Sequence, residues 1–140
     1  MADSTRTSGI RCVIVTPEMT VLDMTARGVI LPLEDGQRGI GRGHAPFIGR
    51  LGAGEVRITA VEGRDARSVF VDRGFVEVGH DTVTVVTQRA LMAEKLDLAE
   101  ARSALAGIRS QPATGDEAIA AKLVAQQAAR EVVRIAGRSR

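Results

Sequence analysis

Tryptophan and tyrosine are absent from these 140 residues, and Phe47, Phe70 and Phe75 are the only aromatics. So few rings leave little to stack on bases or sugars, and a net charge of +2 is too small to demand a nucleic-acid partner. Cys12 stands alone, which excludes an intramolecular disulfide; its apolar neighbours make it a small buried hydrophobe rather than a reactive thiol. His44 and His80 are the only other soft ligands. A structural zinc site needs about four Cys or His and a catalytic one about three protein ligands, and these three residues fall in separate elements. Neither lysine, Lys95 or Lys122, sits in a Gly-rich loop followed by Ser or Thr, so there is no phosphate-binding loop. No apolar run approaches the roughly 18 residues of a membrane span, and Met1 to Arg11 lacks the apolar core of a signal peptide. A cytosolic or peripheral protein is expected, with no metal, no cofactor and no catalytic residue.

What is present divides in two near residue 88. Residues 1–87 hold 12 of the 15 Gly and 6 of the 20 Ala, and residues 88–140 the reverse balance, 3 and 14. Gly-rich punctuation followed by Ala-rich monotony predicts strands and turns first, helices second. The charge splits likewise, −1 in the first part and +3 in the second.

In the first part, short apolar runs recur between turn signals: Arg11 to Thr16, Thr20 to Met24, Gly28 to Leu33, Glu55 to Val61, Arg67 to Val71, Gly74 to Val78 and Thr82 to Thr87. Val56, Ile58 and Ala60 alternate with Arg57 and Thr59, the period of half-buried strands. Glu62-Gly63-Arg64-Asp65 and Gly79-His80-Asp81 read as hairpin loops, and the first ten residues as a polar tail. The pattern is that of an all-β sandwich over residues 1–88. Residues 89–140 read as an antiparallel helical hairpin. Asp97 with Glu100 caps a first helix whose apolar stripe is Leu98, Ala101, Leu105 and Ile108. Pro112 and Gly115 end it, and Thr114 with Glu117 forms the capping box of a second helix carrying Ala121, Val124, Ala128, Val132 and Ile135. Both stripes are thin and Ala-rich, so the hairpin is expected to rest loosely on the sandwich.

Gly39-Ile40-Gly41-Arg42-Gly43 imitates a dinucleotide fingerprint, but His44 holds the third glycine position and Pro46 blocks the helix that must follow. The better reading is a tight loop that uses glycine for positive φ or close approach. His44 has no nucleophile and carboxylate beside it and reads as a buried, hydrogen-bonded residue fixing that loop; His80 reads as solvent-exposed.

Val15-Thr16-Pro17-Glu18, Gly36-Gln37-Arg38-Gly39-Ile40 leading into Gly43-His44-Ala45-Pro46, Gly54-Glu55-Val56-Arg57-Ile58, Gly74-Phe75-Val76-Glu77-Val78 and Val83-Thr84-Val85-Val86 occur in order from about Arg11 to Ala136. This series resembles the epsilon subunit of the F-type, rotary ATP synthase. The resemblance implies a non-catalytic central-stalk subunit with an N-terminal β-sandwich and a C-terminal helix pair. It implies gamma subunit and c-ring as partners of the sandwich, with Gln37, Arg38, Gly41, Arg42, Gly43 and His44 at the partner interface. It also implies coupling of ion-driven rotation to ATP synthesis, helices that reach the alpha and beta subunits and restrain ATP hydrolysis, and a location on the cytoplasmic face of the membrane through the complex alone. Two departures stand out. The ring-facing loop has Gln37 and Arg42 where the family often has an acidic residue and a proline, and the second helix carries Arg130, Arg134, Arg138 and Arg140 rather than lysines, with different hydrogen-bond geometry.

ATP-sensing members carry Ile or Leu, Asp, two variable residues, Arg and Ala at the start of the first C-terminal helix. Leu98 to Ser103 keeps Arg102 but has Ala99 for Asp and Ser103 for Ala; Leu96-Asp97 to Ala101 keeps Asp97 but has Glu100 for Arg. Arg102 is thus the one candidate ATP contact, and the incomplete pattern predicts weak binding or none. The competing readings are a free-standing β-sandwich protein-binding module with a helical arm, unrelated to ATP synthesis, and a cupin-type metalloenzyme; the latter lacks the converging histidines it needs.

Overall fold

The computed structural model describes residues 9–61 and 66–138. The expected loop at residues 62–65 and the tail through residue 8 lie outside them. Seven strands precede two helices: β1 (Ile10–Val15), β2 (Thr20–Leu33), β3 (Gly36–Ile40), β4 (Phe47–Ala60), β5 (Ala66–Gly79), β6 (Thr82–Thr87), β7 (Ala90–Met92), α1 (Leu98–Ser110) and α2 (Asp116–Arg138), with a 3₁₀ turn at Ala93–Lys95. The expected class, a β-sandwich followed by a helical hairpin, is what forms.

Strand order is β1-β6-β5-β4-β2-β3, β7 pairs with β5, and β1 also pairs with β2, so the sheet closes on itself. The β1–β6 ladder is parallel and the others antiparallel. Closure removes the edges that would otherwise invite association and leaves β3 as an outer strand on β2. Inside lie branched aliphatics from every long strand, among them Ile14, Leu31, Val56, Ile58, Val76 and Val85, with Cys12. Burial pushes the Cys12 thiol up to about 12, with the nearby Asp23 charge adding to it, so Cys12 is the inert hydrophobe expected.

Two pairs of expected strands are single long ones. Thr20–Met24 and Gly28–Leu33 merge into β2, and Arg67–Val71 and Gly74–Val78 into β5. The reason is a bend without a break. Inward residues are Val69 and Val71 on one side of Arg73-Gly74 and Val76 and Val78 on the other, and β4 changes phase opposite them, between Leu51 and Gly54. Arg73 and Gly74 take φ of 59° and 128°. A Cβ at Gly74 would lie 2.0 Å from the Val86 carbonyl oxygen, so only glycine lets β5 turn this corner against β6.

The hairpin is built as its sequence suggests, with one shift. Asp97 Oδ1 accepts the Glu100 N–H at 3.0 Å, the N-cap bond that satisfies one orphan donor of α1. At α2 the first helical bond runs from Ile119 N–H to the Gly115 carbonyl, so the helix starts after Gly115, one residue beyond a Thr114 cap. Lys122 Nζ reaches back to the carbonyls of Arg109 and Gln111 at 2.9 and 2.6 Å, closing the end of α1 onto α2. Helix α2, rather than α1, rests on β4 and β5. It does so through its last turns, where Ala128 and Ile135 meet Phe70 and Ala93, with Val132, Leu91, Leu96 and Ala53 around them. Ile135 and Phe70 are the only large side chains fully buried there, and each such burial is worth about 1.5–3 kcal/mol. The expected stripe of α2 is therefore buried only at its C-terminal end; Ala121 and Val124 stay exposed.

Candidate partner interface

The residues expected at the interface fall on one end of the sandwich. Gln37 and Arg38 stand on β3, paired with Pro32 and Leu31 of β2, and are exposed; they belong to an outer strand rather than to a loop. Gly41, Arg42, Gly43 and His44 form the turn that follows. Its shape is held locally: His44 N–H bonds the Gly41 carbonyl at 3.2 Å, and the ring Nδ1 lies 2.8 Å from the Ala45 carbonyl, to which it donates. Gly43, with φ of 76°, donates its N–H to Asp81 Oδ1 at 2.9 Å. Asp81 itself sits in the two-residue His80-Asp81 turn between β5 and β6, at φ of 50°, so one carboxylate ties two turns together. Sequence reasoning missed this tie, although the Gly-His-Asp turn was its visible signal.

Phe47 is the anchor of this end. The Arg38 guanidinium lies 4.9 Å from its ring centre, and the His44 ring 5.5 Å from it on another side. His44 is half-buried, less enclosed than expected. Arg38, Phe47, Glu34, Asp35 and Arg50 line a shallow polar cavity of about 450 Å³. The arrangement presents the Arg38 cation held over an aromatic face, an arrangement suited to a polar protein surface.

Beyond Phe47 the exposed side of the sheet carries large apolar side chains among charged ones. Ile48 is 74% exposed, Phe75 52% and Val86 49%. Phe75 pairs across strands with Val86, and Arg50 with Phe75; the Arg50 guanidinium sits 5.7 Å from the Phe75 ring centre. Val15, opposite Val86 on β1, extends the patch. Phe75 and Val86 face each other directly on β5 and β6, and Ile48 lies diagonally from Phe75 on the same face, with Glu77 opposite Ile48 and Arg50 opposite Phe75; exposed apolar side chains grouped within a polar rim are of the kind that marks a docking surface.

The third candidate surface is the hairpin. An apolar groove of about 510 Å³ runs between the helices and the sheet, lined by Leu91, Ile108, Val124 and Val132 among others, with Asp72, Arg73 and Arg89 at its mouth. Asp72 pairs with both arginines, 2.9 Å from Arg73 Nε and 3.7 Å from Arg89 Nη2, which leaves the trio one positive charge in excess. Arg102 is exposed on α1 and outside that lining, so the structure does not bring the candidate ATP contact into the groove. Among the described residues no three His, Cys, Asp or Glu stand close enough together to hold a metal ion, and no described helix is long and apolar enough to cross a membrane.

Beneath α2 lies a feature with no counterpart in the sequence reading. Glu55, on the outer face of β4, is 3% exposed. Ser68 Oγ of β5 donates to it, Arg138 forms a hydrogen-bonded ion pair with it, and Arg134 Nη2 lies 3.8 Å away. Burial by itself raises the Glu55 carboxyl, but the bonds from Arg138 and Ser68 and the charges of Arg138 and Arg134 outweigh it and hold the group below its ordinary 4.5.

Residues 9–93 match the family model for the ATP synthase delta/epsilon chain β-sandwich domain. The ATP synthase epsilon chain of Rhodopirellula baltica is 45% identical over 89% of this chain and 96% of its own length. That of a Synechococcus species is 37% identical over 88% and 90%. Among solved structures, a chain of the Euglena gracilis mitochondrial ATP synthase, in a structure of its OSCP, F1 and c-ring, superposes with a TM-score of 0.74 at 19% identity, covering 94% of this chain and 81% of that one. A chain from the central stalk and c-ring of the Tetrahymena thermophila enzyme gives 0.65 at 11%, covering 90% and 95%. At these identities the two structures speak for the fold alone.

Proposed function

The chain belongs to the epsilon-chain family of the ATP synthase, a non-catalytic subunit of that multisubunit enzyme's central stalk, and on that premise we propose that it couples ion-driven rotation to ATP synthesis and restrains ATP hydrolysis through its hairpin. In this reading the sandwich seats the gamma subunit on the Ile48, Phe75 and Val86 face and meets the c-ring with the end formed by Gln37, Arg38, Gly41, Arg42, Gly43 and His44. The hairpin leaves the sandwich to reach the alpha and beta subunits. The complex alone brings the chain to the cytoplasmic face of the membrane, and no cofactor is required.

The observation that carries this reading is the exposed apolar face. A β-sheet facing solvent on one side ordinarily alternates apolar inside with polar outside; here β5 and β6 break the rule at directly opposed positions, Phe75 and Val86, and β4 breaks it on the diagonal at Ile48. Covering Phe75 and its neighbours is what a rigid, preformed interface does, and burial at its centre supplies most of the affinity. Replacing Phe75 and Val86 together by Glu leaves the core untouched, because neither side chain enters it. Co-purification of the full chain with gamma should then fall at least about tenfold, since two buried charges without partners cost well over 1.4 kcal/mol. Retained binding would remove the gamma assignment from this face. Reversing Arg38 and Arg42 to Glu should instead spare gamma binding and reduce proton pumping by the reconstituted complex.

A further inference from the structure

We propose that Glu55, gripped by Arg138 and Arg134, is a charge clasp that decides whether the hairpin stays down on the sandwich; the regulatory consequence rests on the function proposed above, the clasp itself does not. Little else holds α2. Its docking surface is small, the Ala128 methyl and half-buried Val132, with Ile135 as its one large side chain fully buried there. The N-terminal half of α2 leaves Ile119, Leu123 and Val124 exposed, and α1 rests on α2 rather than on the sheet.

Against that smooth surface Glu55 is a conspicuous intrusion. It sits on the outer face of β4, opposite Phe70 of β5, and α2 covers that face. Its partners come from every side: Ser68 from β5, Arg138 and Arg134 from α2, one turn apart. Glu131 holds Arg134 in turn, at 2.7 Å, and Arg57 stands two residues along the same face of β4. No buried side-chain nitrogen or oxygen among the described residues lacks a partner. The same carboxylate therefore acts in two opposite directions. Paired, it fixes α2 by charge-assisted bonds; unpaired, it is a charge that docking would have to strip of water, and it repels the helix.

This double action separates the clasp from a merely apolar contact. Removing the arginines while keeping Glu55 must open the hairpin, and removing Glu55 as well must let it close again. The test is a distance measurement by paired spin labels on the full chain, with cysteines at the exposed positions Thr59 and Ala125; Cys12 is buried and escapes labelling. The unaltered chain should give one short distance. Arg134→Gln with Arg138→Gln should lower the docked-to-open ratio at least about tenfold, less than breaking a fully buried pair does, because Arg138 is itself 43% exposed. Adding Glu55→Leu to that pair should recover most of the docked population, with Glu55→Gln as the second variant should the leucine disturb the sheet. Arg109→Gln, which removes a like charge from exposed α1, should change nothing.

An unaltered distance in the double arginine variant, or no recovery when Glu55 is then replaced, would overturn the clasp. The function proposed above fails separately: a variant that opens the hairpin yet leaves ATP hydrolysis by the assembled enzyme unaltered would keep the clasp and refute the restraint.

Discussion

The sandwich and the hairpin are stabilised in different ways. The first encloses a core of Ile, Leu and Val from strands that close on one another, so its long-range ladders and its packing depend on each other. The second has its own local hydrogen bonds, a good cap at Asp97 and a closing Lys122, but meets the sandwich through a few small side chains and one buried ion cluster. A region held by many distributed contacts opens only with the whole; one held by few opens alone. The contrast teaches where to look for movement, and the following substitutions set its limits.

The largest effect belongs to the sandwich. Gly74→Ala should cost about 3 kcal/mol or more, because the added methyl would overlap the Val86 carbonyl and φ of 128° is closed to it. Thermal unfolding of the full chain should show the loss as one cooperative event lowered by well over 10 °C. A small shift would mean that the corner of β5 is pliable and the contrast overdrawn.

A middle effect concerns acid. Glu55 lies below its ordinary value when the hairpin is down, so its contribution to docking is complete above about pH 5 and fades as pH falls through the lowered value. Hydrogen exchange in residues 128–138, corrected for the intrinsic rate, should therefore stay slow from neutrality to pH 5 and quicken below it, ahead of exchange in β4 and β6. Simultaneous loss in both regions would deny the hairpin its independence.

The smallest effect is a gain. Gly107 lies inside α1 with open space where a Cβ would point, so Gly107→Ala should strengthen α1 by about 1 kcal/mol. It should slow amide exchange in α1 without moving the unfolding midpoint of the sandwich. A raised midpoint would show tighter coupling between the two regions than the contacts of α2 imply.

How much of this was legible in the sequence follows from the range of the interactions involved. The Asp97 cap, the His80-Asp81 turn and the change from Gly to Ala usage are local, and local signals placed them. The merging of β2 and of β5 was not legible, because turn-forming residues such as Arg73-Gly74 bend a strand as readily as they end one. The first half of β4 was missed because Gly49, Gly52 and Gly54 argue against a strand by propensity, while pairing with β5 decides otherwise. Strand β7 is three residues long, below what periodicity can register; it carries the sheet to Met92, four residues past residue 88. The proposed interface residues follow from resemblance alone, whereas the exposed Phe75–Val86 pair needs two strands aligned before it exists. Glu55 was the least visible of all, since its partner Arg138 is 83 residues away and an isolated glutamate in a strand reads as solvated.

A hairpin held by so few contacts can be removed without harm to the rest. The direct measurement compares ATP hydrolysis by complexes assembled with the full chain and with a chain ending at Lys95, which retains β7 and the 3₁₀ turn. The prediction is that the shortened chain still binds gamma and joins the complex, and that hydrolysis rises several-fold. A shortened chain that no longer binds gamma, or a complex that assembles and hydrolyses ATP no faster, would contradict it.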